Sequence, residues 1–277
     1  MLNISICLYA YDAANVQHLV QTLLQAETVK NIYLFDNSPE EADTRFIQTM
    51  SASRRTHYIW NEGKNIGYSK SHNIAIRESV WQRTKYHLIM KPSVEIKAED
   101  IDKLHNFMEH NPQVGAVIPH VVDADGKTRH VCRLLPTPFD IFARHILPAF
   151  IEEKRTYYTA LCATGYHQII NAPVLDSCFL FLRTEAALQA RLIDERFFSN
   201  FWHIDLTRTI HRNYLTLFIP DITIAKKQDK TTQNQWHLLW NKTADMCQYF
   251  NKWGWIFDSE RKEINQLTLQ LCKTEQA

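Results

Sequence analysis

The residues best placed to do chemistry lie where apolar runs stop and polar turns begin. Tyr58-Ile59-Trp60 empties into a turn carrying Asn61, Gly63, Asn65 and Gly67, and helical spacing takes over from Ser69 to Glu78. A strand that passes through an Asn/Gly turn into a helix offers free backbone N–H groups and a positive dipole end to an anion. The chemistry expected there is binding of a phosphorylated ligand, although glycines serving only a βα turn would give the same spacing. Other strand ends carry polar groups too: Tyr9–Tyr11, Asp36-Asn37 and Lys91-Pro92-Ser93. Ligands of parallel α/β sheets sit at the carboxyl ends of the strands, so these four sets are expected around one crevice.

The pattern supplies elements to hold them. Residues 3–9 read as a strand, and Asp12 as the cap of a helix whose apolar face is Val16, Leu19, Val20, Leu23 and Leu24. A second strand is read at 32–35 and a helix at about 40–51 with Phe46, Ile47 and Met50 on one side. The helix after Gly67 has Ile74 and Val80 as its expected core contacts. A fourth strand, 86–90, leads to a helix from Glu99 to His110 and a strand from Val114 to Pro119. Asp123-Ala124-Asp125-Gly126 is a turn. The stretch from Arg133 to about Asn171, with Arg144, Lys154 and Arg155, reads as a lid or acceptor-side excursion rather than sheet. Val174–Leu182 resumes the core, His203–His211 is helical, and Tyr214–Ile219 is a strand. Alternation of this kind predicts a mostly parallel sheet flanked by helices, an α/β fold.

Composition narrows the function. The 277 residues are 45% hydrophobic and 22% charged with a net charge of +1, which suits a globular protein and argues against a nucleic-acid partner. The six cysteines are scattered without a CxxC pair, as expected of reduced thiols in a cytoplasmic protein. The opening apolar run ends at Asp12, too short for a signal peptide or a membrane span. His72, His120, His130 and His211 show no metal-ligand spacing. After Lys226, Trp236, Trp240, Phe250, Trp253, Trp255 and Phe257 accumulate beside Lys242 and Lys252. That run reads as a packed helix, or as a peripheral contact with an anionic inner membrane face. The last helix, about 259–273, is polar.

Several segments in this order resemble the family-two inverting glycosyltransferases, in their bacterial rhamnosyltransferase-like branch of capsule and O-antigen synthesis. They are Asp36-Asn37-Ser38, Asn65-Ile66-Gly67-Tyr68 through His72-Asn73, Leu134 to Asp140, Phe179 to Ala186, Asp194 to Phe198, Asp205 to Arg208, and Tyr249 to Trp255. The resemblance implies a GT-A fold, with residues 1–225 as the glycosyltransferase domain. Within it, 1–119 would be the nucleotide-sugar half and 120–225 the acceptor half, and 226–277 a helical segment packed on the domain. It implies a dTDP- or UDP-sugar donor and a growing polysaccharide or lipid-linked glycan as acceptor. Asp36 and Asn37 would hold the base and ribose, while Asn61, Asn65, Gly67 and Asn73 would shape the donor pocket. A carboxylate at a strand end can bond an imide or a ribose hydroxyl, and it can equally close an Asx-turn.

The chain departs from the family where the chemistry is done. The acidic metal-binding motif after the fourth strand is replaced by Lys91-Pro92-Ser93, a poor magnesium or manganese site. The pattern Glu-Asp-Val-Asp-Leu that supplies the catalytic base reads Trp202-His203-Ile204-Asp205-Leu206, and Asp176-Ser177 replaces a Ser/Gly pair. One reading keeps an enzyme. Lys91, or Lys226-Lys227, then neutralises the leaving group in place of a metal, Ser93 lines the donor site, and His203 is the base with Asp176 the alternative. In the other, the protein binds a nucleotide sugar or a partner enzyme without catalysis. Asp205 belongs to the catalytic motif by position, or salt-bridges its own helix through Arg208.

Overall fold

The computed structural model describes residues 1–141, 149–228 and 235–274, without the side chains of 149, 235–238 and 273–274. Arg144 and the side chain of Trp236 lie outside this set. Strand β1 (Leu2–Leu8) is buried along its whole length and sits between β2 (Val29–Asp36) and β4 (Tyr86–Met90), both parallel to it. β3 (Thr56–Trp60) extends the parallel set beyond β2. The register pairs Leu8 with Asp36 and Asp36 with Trp60, so three carboxyl ends finish level at one edge.

Helix α1 (Ala13–Gln25) starts as its sequence demands, with the Asp12 carboxylate accepting from the Ala14 and Asn15 amides, and it buries Val16, Leu19, Val20 and Leu23. Helix α2 (Thr44–Ser51) is capped by Asp43 and packs Phe46 and Met50 inward. Helix α3 (Tyr68–Trp81) corrects the expectation. Ile74 is 40% exposed and Val80 only half-buried, while Ser69, Ser71, His72, Asn73 and Ser79 are buried beside Ala75 and Ile76. The sheet beneath is polar as well, and hydrogen bonds from Asn3, Ser5 and His87 remove the cost of burying that face.

Beyond β4, the chain forms β5 (Val94–Glu95), α4 (Ala98–His110), β6 (Val114–Val122) and β7 (Cys132–Arg133). The Arg133–Asn171 excursion contains α5 (Ala149–Thr159) and ends in β8 (Ile170–Asn171). β9 (Val174–Leu175) pairs with β7 outside the main sheet, and β10 (Phe179–Arg183) enters it antiparallel between β4 and β6. After α6 (Thr184–Gln189) and α7 (Trp202–His211), the long β11 (Leu215–Lys226) runs parallel to β6. Its register breaks between Ile219 and Thr223, around Pro220, which has no N–H for the ladder. Among the described residues this makes one mixed, mostly parallel sheet, ordered β3-β2-β1-β4-β10-β6-β11-β5 with β8 beside β11.

Helices α8 (Gln235–Trp253) and α9 (Ser259–Thr274) close the chain. The aromatic run divides between two environments: Tyr249 and Phe250 are buried, whereas Trp240, Ile256 and Phe257 are 75%, 78% and 92% exposed. Among the described residues, no helix is long and apolar enough to cross a membrane.

Candidate functional site

The level strand ends open onto a cleft of about 850 Å³. That lies within the range of roughly 300–1,000 Å³ typical of small-molecule sites. Tyr9 and Tyr11 follow β1, Asn37 follows β2, Asn65 precedes α3, and Lys91 and Ser93 follow β4; all line it. Lys227, Ser177 and Trp202 line it as well. Asp36, Asn61, Gly67 and Asn73 stand behind the lining, each for a visible reason.

Asp36 is sealed, with no exposed surface. Its Oδ2 accepts from the hydroxyls of Tyr11 and Tyr58, both at 2.8 Å, and its Oδ1 from the Ser38 amide at 2.9 Å. The last bond is the Asx-turn, and the carboxylate holds Tyr11 in the cleft wall. Burial first, and then the Asp36 carboxylate, raise the Tyr11 phenol's pKa, so it stays protonated and donating. Asn61 donates to Asn37 Oδ1 at 2.6 Å, which ties two turns together. Asn73 donates to the Ile193 carbonyl and accepts from the Ile193 amide.

The Asn/Gly turn is bonded inward, which corrects the expectation of free amides. The Gly67 amide donates to Asn65 Oδ1, that of Ile66 to Asn37 Oδ1, and that of Tyr68 to the Phe198 carbonyl. Gly67 has φ +82°, and a Cβ there would lie 2.7 Å from the Phe198 oxygen. Glycine is needed for this close approach of two loops. The cationic groups that line the cleft instead include the side chains of Lys91 and Lys227. Among the cleft's carboxylates, Glu95 pairs with Lys227 at 2.5 Å and Asp12 caps α1.

Asp176, in the turn between β9 and β10, accepts from the Cys178 amide at 2.8 Å, and the Lys91 amide donates to the Cys178 carbonyl at 3.0 Å. Burial pushes the Asp176 carboxyl up, but the pull of His203 and Lys91 outweighs it and holds the group below the usual range. His203 begins α7 beside Trp202, with ring centroids 5.7 Å apart and a buried Nδ1 that has no hydrogen-bond partner. Burial lowers its pKa to about 4, against the opposing pull of Asp176. His203, Asp176 and Lys91 are thus electrostatic neighbours, with Lys91 in the cleft lining. Neither His203 nor Asp176 lines the cleft, though Trp202 and Ser177, adjacent to them in sequence, do.

Asp205 lies elsewhere. Its carboxylate accepts from Trp253 Nε1 at 2.7 Å and Lys252 Nζ at 2.8 Å, while Arg208 turns to Asp258 and Glu260. The expected Asp205–Arg208 pair is not formed, because each residue finds a partner on the C-terminal segment. Sequence reasoning also missed Asp245 on α8. Its buried carboxylate accepts from the Phe198, Ser199 and Asn200 amides at 2.7–2.9 Å, fixing the loop that lines the cleft. A carboxylate acting across this much sequence leaves no local signal.

The donor set tells against a divalent cation. Lys91 and Lys227 line the cleft with ammonium groups, which cannot ligate a cation, and its carboxylates Asp12 and Glu95 are engaged in the α1 cap and the Lys227 pair. Among the described residues, no three His, Cys, Asp or Glu side chains converge.

No family profile and no curated protein sequence matches the chain. Solved structures do. One is GalNAc-T7 with UDP, GalNAc and Mn2+, at TM-score 0.58 and 10% identity over 82% of this chain. Another is the mannosyltransferase PcManGT from Pyrobaculum calidifontis with GDP-Man and Mn2+, at TM-score 0.56 and 12% identity over 91% of this chain. The matches span 44% and 63% of those proteins, so the chain corresponds to part of each. At this identity the likeness is one of fold, and the fold is GT-A.

Proposed function

We propose that the chain is an inverting glycosyltransferase that moves a sugar, a hexose or rhamnose, from a dTDP- or UDP-sugar to a growing surface polysaccharide or lipid-linked glycan. The observation that carries this reading is Lys91 in a GT-A cleft, where the electrostatics of Asp176 and His203 meet. GalNAc-T7 and PcManGT were captured with UDP and with GDP-Man, which supports a nucleotide-sugar donor here.

In this account the base and ribose lie along Tyr9, Tyr11 and Asn37, with Tyr11 held by Asp36. Asn65 and Ser93 border the diphosphate. The acceptor hydroxyl loses its proton to His203, neutral at pH 7, through one water that spans the gap between the cleft and the ring behind its lining, and its oxygen attacks the anomeric carbon. The bond from that carbon to the diphosphate oxygen breaks on the opposite side. The nucleoside diphosphate leaves with the electron pair, and its added charge meets Lys91 and Lys227. Asp176 stabilises the imidazolium. The exposed Trp240, Ile256 and Phe257 support a peripheral contact with the inner face of a membrane bearing a lipid-linked acceptor.

Two results test this reading. Donor affinity in wild type should be unchanged by EDTA, and Lys91→Ala should weaken it by about 1.5–3 kcal/mol, the range for a hydrogen bond to a charged group. Calorimetry reads both, and a strict manganese requirement that Lys91→Ala leaves intact would overturn the role given to Lys91.

A further inference from the structure

Between α3 and the sheet runs a chain of polar side chains whose proton directions can be counted. At its far end, Gln82 Nε2 faces Glu78 Oε2 at 3.4 Å, and a carboxylate only accepts. Gln82 Oε1 therefore faces Asn31 Nδ2 at 2.9 Å, and that same amide donates to Asn3 Oδ1 at 3.2 Å. Asn3 Nδ2 is left to donate to Ser79 Oγ at 3.0 Å. Ser79 has one proton, and the Ala75 carbonyl at 3.1 Å can only accept it. To satisfy every contact, His87 Nδ1, at 2.8 Å from Ser79 Oγ, must be the donor.

The count then passes to the cleft. Burial lowers the pKa of both His72 and His87 to about 3, so each carries one ring proton. With its proton on Nδ1, His87 has a bare Nε2, which accepts from the Ser5 hydroxyl at 2.8 Å. Ser5 has no second proton, so its oxygen accepts from His72 Nδ1 at 2.8 Å. His72 Nε2 is consequently bare. His72 is only 2% exposed yet borders the cleft, its ring 5.7 Å from Trp202 and 6.2 Å from Tyr68. Its Nδ1 edge faces Ser5, so the edge left to the cleft carries Nε2.

A bare nitrogen selects its ligand. It accepts a hydrogen bond from a hydroxyl and offers nothing to a phosphate oxygen, which is itself an acceptor. We propose that His72 reads the transferred sugar, its Nε2 accepting a hydrogen bond from one sugar hydroxyl. The assignment rests on the nucleotide-sugar reading and adds a specificity residue to it.

Long-range 1H–15N NMR of the full chain tests the proposal. In the free protein, His72 should show a protonated Nδ1 and a bare Nε2. Titration with UDP- and dTDP-hexoses should move the Nε2 resonance, whereas UDP and dTDP alone should leave it in place. Ser79→Ala removes the oxygen that sets the proton direction, and should weaken hexose-nucleotide binding roughly three- to tenfold without changing nucleoside-diphosphate binding. A protonated Nε2 in the free protein, or the same movement with UDP or dTDP alone, overturns the proposal, whether or not Ser79→Ala folds. Donor binding with a motionless Nε2 removes the sugar contact alone. Binding of no nucleotide sugar removes the proposed function and the contact together.

Discussion

His203→Ala is expected to lower turnover by roughly 10²–10⁴, the usual contribution of a general base, while donor affinity barely moves. The pH profile gives a sharper test than the size of the loss. Only neutral imidazole can take the acceptor proton, so kcat/KM must rise with pH through the pKa of His203. Burial places that pKa at about 4, against an unperturbed value of about 6.5. The acid limb should therefore lie near pH 4, leaving activity level across neutrality. Asp176→Asn removes the charge that raises the proton affinity of His203, so it should move the limb lower and reduce turnover. Loss of turnover in Asp176→Asn but not in His203→Ala would transfer the base role to Asp176. If wild type binds donor and transfers to no acceptor, the protein is a nucleotide-sugar-binding relative without catalysis.

Arg208→Ala should cost about 3–5 kcal/mol of folding stability, the range for breaking a buried ion pair by removing one partner. The Arg208 side chain is 1% exposed, and its fork meets both Asp258 oxygens at 2.8 Å and Glu260 at 2.8 Å. Its guanidinium carbon lies 4.0 Å from the centre of the Trp253 ring. Without it, Asp258, 3% exposed, loses its close bidentate partner and is left with the more distant Arg261 guanidinium at 4.0 Å and the Arg261 amide in the first turn of α9. Arg208→Lys keeps the charge and loses the fork and the stacking, so an intermediate loss is expected. Urea denaturation of both variants reads the effect. A midpoint for Arg208→Ala equal to that of wild type would mean that α7 is held to the C-terminal helices by packing alone.

Much of this architecture is legible in the residues because its signals are local. The apolar periodicity of Val16–Leu23, the Asp12 cap and the stops at Asp36, Trp60 and Met90 follow from nearest-neighbour chemistry. Parallel strands then bring Asn37, Asn65, Lys91 and Ser93 to one cleft without further information. What escapes sequence reasoning depends on partners far along the chain. The buried face of α3 is polar because Asn3, Ser5 and His87 answer it across the sheet, so a search for apolar spacing selects Ile74, which faces outward. Asp36 lies at the predicted strand end, yet two tyrosine hydroxyls occupy it, and its place in the wall is taken by Tyr11. Asp205 and Arg208 are spaced to pair on one helix turn, but the indole of Trp253 and the carboxylate of Asp258 compete successfully for them. Helix spacing sets which residues can pair, and burial against a later segment decides which do.

The most direct measurement is a calorimetric titration of the protein with UDP-, dTDP- and GDP-sugars in the presence of EDTA. The account predicts that at least one nucleotide sugar binds one-to-one in the cleft, and that Lys91→Ala weakens it. Absence of binding by every nucleotide sugar, with the protein folded, would contradict it.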